Sequence, residues 1–93
     1  MLKNKKQAAV FTIVKNEKFF IPIWLNYYKK HFEKKDIYIL NHQSDDNSLK
    51  DVDVNIINIE NDFFQDNNWL LNVTKAYQKK LLETYNQVLF TNI

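Results

Sequence analysis

The chain has no cysteine, no glycine and a single proline in 93 residues, and its thirteen basic residues are all lysine. Without cysteine there is no disulfide, no thiolate zinc cluster and no thiol chemistry. Without glycine, neither a Walker-type loop nor a Gly-x-Gly-x-x-Gly turn can form, so a bound nucleotide has no glycine-rich phosphate cradle. Any backbone position that needs a left-handed conformation falls to Asn or Asp. The absence of arginine removes the preferred bidentate reader of phosphate and guanine, which argues against nucleic acid as a partner.

Long apolar runs are also missing. None approaches the ~20 residues that cross a bilayer. The opening "MLKNKKQAAV" carries lysines but leads into no long apolar segment with a cleavage site, so it does not read as a signal peptide. The expected location is cytoplasmic, with membrane contact peripheral at most. The net charge is only +2, and Lys3, Lys5 and Lys6 read as a solvated terminus.

The hydrophobic fraction of 45% suffices for one core and one domain. "AAVFTIV" (8–14) is short, apolar and β-branched, which predicts a buried strand. Ile21, Trp24, Leu25, Tyr28 and Phe32 then share one helical face, with Pro22 suited to a first turn. That predicts a helix over 22–32. "IYIL" (37–40) predicts a second strand, the polar "NHQSDDNS" (41–48) a loop, and "VDVNIINI" (52–59) a third strand. Leu70, Val73, Tyr77 and Leu81 predict a helix over 68–85, capped by Asp66, Asn67 or Asn68. "VLFTNI" predicts a fourth strand.

The order β-α-β-β-α-β argues an α/β layered sheet. If every strand is parallel, a short crossover must lie around Ser48–Val52. Ligands then belong outside the carboxyl ends of the strands, where strand order reverses. The residues after the strands are polar: Lys15-Asn16-Glu17, Asn41 through Asp46, and Thr91-Asn92.

"TIVKNEKFFIPIWLNYYKKHF", "IYILNHQSDDNS" and "YNQVLFTNI", in this order and spacing, resemble family-2-like glycosyltransferases of the GT-A fold, and most closely a family-92-like branch. The resemblance runs from about Val10 to Ile93. It implies a Rossmann-like, three-layer half-domain with four mainly parallel strands in the order 3-2-1-4 and two main helices. It implies a nucleotide-sugar donor (a UDP- or GDP-sugar) and a divalent metal, Mg²⁺ or Mn²⁺. By position, Ile13, Lys15, Asn16 and Glu17 fall on the base-and-ribose side of the donor site, and Asp46 on the acidic residue of the second loop. Asn41 stands where the family carries an aspartate, and an amide forgoes the charge-assisted bond. Asn92 falls on the first position of the Asp-x-Asp metal motif. The second would be residue 94, so this stretch is expected to stop short of metal binding and catalysis.

Blander roles compete for the same residues. Glu17 suits the start of a helix. Asp45 and Asp46 suit a turn or cap. His42, a lone loop histidine, reads as polar surface, and His31, late in a helix, as structural. Trp24, Tyr28 and Phe32 read as core rather than as a sugar platform, and Trp69 as packing. The alternative function is a non-catalytic α/β module that binds nucleotide or self-associates. A receiver-type phospho-acceptor fits less well, because its acidic residues sit at the ends of the first and third strands. An apolar fourth strand at a sheet edge invites pairing, so a homodimer or larger association through Val88–Ile93, or a terminus frayed from the sheet, is expected.

Overall fold

In the computed structural model, residues 6–42, 49–59 and 67–91 are described, the first four of the last segment by backbone alone. Strand β1 (Lys6–Val14) lies at the centre of the sheet, paired in parallel with β2 (Ile37–Asn41) on one side and β4 (Tyr85–Phe90) on the other. Strand β3 (Asn55–Asn58) pairs with β2, also in parallel. The order is therefore β3-β2-β1-β4, as the resemblance implied.

Alternation along β1 divides the core in two. Ala9 and Phe11 join Leu40, Ile59, Leu81 and Tyr85 on the face covered by helix α2 (Asn67–Leu82). Val10 and Val14 join Ile37, Ile39, Ile21, Trp24 and Leu25 on the face covered by helix α1 (Phe20–Tyr28). Successive strand side chains point to opposite faces, so a fully buried central strand must be apolar on both. Each such buried Leu, Ile or Phe contributes about 1.5–3 kcal/mol of transfer free energy. Thr12 interrupts the pattern. It is fully buried on the α1 side, and its Oγ1 has no hydrogen-bond partner.

The connections explain the strand order. From β1 to β2 the chain passes through α1. From β2 to β3 its described part passes through a turn at 49–51, with Leu49, Val52 and Val54 packed against the α1-side cluster. Both steps run on one face and carry the sheet in one direction. Parallel crossovers keep one hand, so reversing direction to place β4 beyond β1 requires a connection on the other face. Helix α2 supplies it.

Several boundaries differ from the sequence expectation. Helix α1 starts at Phe20, where the Glu17 carbonyl accepts the N–H groups of Phe20 (3.1 Å) and Ile21 (2.9 Å). Pro22 is its third residue, still among the positions whose N–H needs no helical partner. The regular helix stops at Tyr28 rather than Phe32. Lys30 and His31 then donate three residues back, to Tyr27 and Tyr28, tightening the chain while Phe32 keeps its contact with the core. The charged stretch after it forms a 3₁₀ turn, Lys34–Asp36. Strand β3 begins at Asn55 rather than 52, because Val52 and Val54 serve the crossover. Helix α2 ends at Leu82 and β4 begins at Tyr85, ahead of Val88. Lys6 is not a loose terminus: it opens β1, and its N–H holds the Thr84 carbonyl at 2.9 Å.

Two polar clasps hold the periphery. Tyr85 is fully buried, with its hydroxyl 2.9 Å from that of Tyr38 and 2.8 Å from Asp36 Oδ1. A hydroxyl carries one proton; with that of Tyr85 directed to the carboxylate, Tyr38 donates to Tyr85. Burial, then the bonds to Tyr38 and Asp36, push the Tyr85 pKa above the ordinary phenol value. On the other side, Asp53 accepts from Lys29 (2.5 Å) and Lys34 (2.6 Å), tying the crossover to the end of α1. These two lysines, Lys29 first, lower the Asp53 pKa from 3.8 to about 2. No described helix is long and apolar enough to cross a membrane.

Candidate functional site

Strand register aligns three carboxyl ends. Val14 pairs with Asn41, and Asn41 with Asn58. The residues that follow β1, β2 and β3 therefore share one edge of the sheet. The His42 N–H donates to the Val14 carbonyl at 2.8 Å, and the Ile59 N–H to the Asn41 carbonyl at 2.8 Å, extending the ladder one residue past the strands.

Strand order reverses between β1 and β4. Their described pairing ends at Phe11 and Phe90, with a last bond from the Thr91 N–H to the Phe11 carbonyl at 3.1 Å. Beyond it Thr12, Ile13 and Val14 continue beside β2, with no described strand on their other side. Open α/β sheets form a ligand crevice at such a switch point. Trp24 closes it from the α1 side: its indole Nε1–H donates to Thr91 Oγ1 at 2.8 Å. The helical spacing of Trp24 marked it as core, which it is. The bond to a residue 67 positions later had no sequence signal.

Lys15 and Asn16 leave the end of β1 exposed, and Glu17 is half-buried. Asn16 has φ 56°, the left-handed conformation, in the turn that carries the chain from β1 into α1. A chain without glycine was expected to use Asn or Asp at such a point. Glu17 sits just before α1, where a negative charge is favourable, so the structural role weighed for it is compatible with the geometry.

Asn41 is not part of a free loop. It is the last residue of β2, and its Nδ2 donates to Asn58 Oδ1 at 3.0 Å. His42 is also not surface: only 5% of it is exposed. The missed signal was its position directly after an apolar strand, where the ladder is still running. Ile13 faces the opposite side from Val14, half-buried against the α2-side cluster. Lys15, Asn16, Glu17 and Asn41 are thus brought to one edge, with Ile13 beneath them on the α2 side. Asp45, Asp46 and Asn92 lie outside the described residues.

Surface depressions are seen elsewhere among the described residues. A cleft of about 690 Å³ runs between α1 and the 49–53 turn, with Ile21, Leu25 and Val52 on its floor and Lys18 and Lys50 among its rim. Another, of about 750 Å³, follows residues Lys29 to Lys35 and lies towards the amino end of β2, away from the candidate site.

A divalent ion needs several hard oxygen ligands. Among the described residues no three His, Cys, Asp or Glu side chains are grouped to hold one, and Glu17 is the carboxylate at the end of β1. The described residues therefore do not fit a metal site. No family model matches this chain, and no curated protein or solved structure matches it.

Proposed function

We propose that this chain recognises the nucleotide of a nucleotide-sugar donor, as the donor-binding part of a family-2-like glycosyltransferase. The observation that carries the reading is the register between Val14 and Asn41. It brings the Lys15-Asn16-Glu17 turn and the end of β2 to the same edge of a parallel sheet, beside a strand-order reversal. Side chains there suit a nucleoside diphosphate. Glu17 accepts from ribose hydroxyls, the Asn41 amide both donates and accepts, and Lys15 offers a compact cation to phosphate. Ile13 supplies an apolar surface on the α2 side. In such transferases a divalent metal stabilises the leaving diphosphate.

Titration calorimetry of the chain with UDP and with GDP tests this. Micromolar binding of either, weakened about tenfold in Asn41→Ala or Asp46→Ala, is the expected result. No heat at millimolar nucleotide would sink the reading and leave a non-catalytic α/β module.

A further inference from the structure

Helix α1 has two unlike flanks. Angular position at 100° per residue puts Pro22, Asn26 and Lys29 on one side of its buried face and Phe20, Ile23 and Tyr27 on the other. The first flank borders the 49–53 turn, whose residues line the same cleft. The second lies on the Trp24 side, and Trp24 reaches Thr91 at the end of β4. Within Phe20–Tyr28 this second flank carries no charge, yet it is open to solvent: Phe20 is 51% exposed, Ile23 59% and Tyr27 55%.

Strand β4 continues the same surface. Leu89 pairs with Val10, whose side chain belongs to the α1-side core, so Leu89 points to the α1 side; it is 47% exposed. Strand β4 is also a sheet edge, pairing with β1 alone among the described strands. Edge strands are ordinarily protected by lysine, proline or a bulge. Residues 84–91, "TYNQVLFT", contain no charge, no proline and no glycine. An apolar helix flank and an uncharged strand edge are therefore linked through the Trp24–Thr91 bond, and the Val88 carbonyl of that strand accepts from Gln78 Nε2 at 3.5 Å, a contact that strand pairing would replace.

We propose that β4 is an interface with a second copy of this chain, formed by antiparallel β4–β4 pairing about a two-fold axis near Leu89. The sequence of the edge selects this occupant. A two-fold centred on Leu89 sets Leu89 opposite itself on the α1 side, Val88 opposite Phe90 on the α2 side, and Gln87 opposite Thr91. Apolar meets apolar and polar meets polar, with no like charges brought together. Moving the centre to Val88 would oppose Gln87 to Leu89. Each copy's Phe20, Ile23 and Tyr27 then flank the paired Leu89 residues. A lipid surface would cover the same aromatic residues but leave the backbone groups of the edge unpaired. The proposal is independent of nucleotide binding.

The test is sedimentation of the 93-residue chain and of single variants, with circular dichroism to verify folding. A concentration-dependent dimer is expected. Leu89→Lys and, separately, Ile23→Lys should weaken it by roughly tenfold or more, whereas Leu71→Lys on the exposed face of α2 should leave it unchanged. Because the chain has no cysteine, Leu89→Cys adds a single thiol, and it should form a disulfide-linked dimer on mild oxidation. Either lysine variant suffices if the other does not fold. A monomer throughout the micromolar range would overturn the proposal. So would a dimer insensitive to the folded lysine variants, failure of Leu89→Cys to cross-link, or a monomer that cosediments with anionic phospholipid vesicles.

Discussion

At the amino end of the sheet, Tyr85 is fully buried and its hydroxyl meets both Tyr38 and Asp36. At the carboxyl end, Lys15 and Asn16 stand exposed, the Asn41 Nδ2 donates sideways to Asn58 Oδ1, and Asn16 holds a left-handed turn. Polar groups at one end are enclosed and consumed by the fold. At the other, Lys15 and Asn16 are open to solvent. Enclosed polar networks are costly to disturb, whereas exposed polar groups exchange protein partners for water at little cost. The contrast places the enclosed polar network at the amino end and the proposed recognition site at the carboxyl end.

Trp24 is where this division can be broken, since it is a buried core residue that also closes the carboxyl-end crevice. Trp24→Ala is expected to have the largest effect, a loss of about 3–5 kcal/mol in denaturant unfolding. Trp24→Phe keeps much of the packing and loses the bond to Thr91, which should cost about 1 kcal/mol beyond its change in buried area. If the two variants cost the same, the indole bond rather than packing holds this corner.

Tyr85→Phe sharpens the contrast. It leaves Tyr38 and Asp36 without their shared partner and should lower stability by about 1–3 kcal/mol while nucleotide titration is unchanged. Asn41→Ala should do the reverse, weakening binding with a smaller change in stability. A Tyr85→Phe chain that loses nucleotide affinity while fully folded would dissolve the distinction.

Thr12→Val should stabilise the chain by about 1 kcal/mol, because it replaces a buried hydroxyl that lacks a partner with a methyl of similar size. Thermal unfolding measures it. Destabilisation instead would show that the hydroxyl is satisfied in solution.

The smallest expected effect is at Asp53, an exposed group. Its folded pKa of about 2 lies below its ordinary 3.8, so the folded state favours the ionised form. Its contribution is therefore complete above pH 3.8 and is lost as pH falls towards about 2. Asp53→Asn should flatten that part of the acid-unfolding curve, and salt should shrink the difference between the two proteins.

Much of the architecture was legible along the chain. The β-branched runs located the first three described strands, the run at Val88–Phe90 located only the second half of β4, and the three-four spacings of Ile21, Trp24 and Leu25 and of Val73, Tyr77 and Leu81 located the buried faces of both helices. Boundaries were less legible, because they depend on neighbours. Strand β4 starts at Tyr85 because β1 reaches back to Lys6, and β3 starts late because Val52 and Val54 have another surface to cover. At the candidate site, the polar residue types after each strand were readable. The burial of His42 and the sideways bond of Asn41 were not, since both arise from strands that pair across long sequence separations.

By itself the sequence determined the α/β class, the two buried helix faces and the use of Asn at the left-handed turn. These follow from local periodicity and from the absence of glycine, which act within a few residues. Only the tertiary structure decided which polar groups are enclosed. Tyr85 reaches Asp36 across 49 positions and Trp24 reaches Thr91 across 67. Whether a tyrosine hydroxyl or an indole N–H faces water or a partner depends on which strands become neighbours. That is settled by the crossing of α2 to the far face, an event no short stretch of sequence contains.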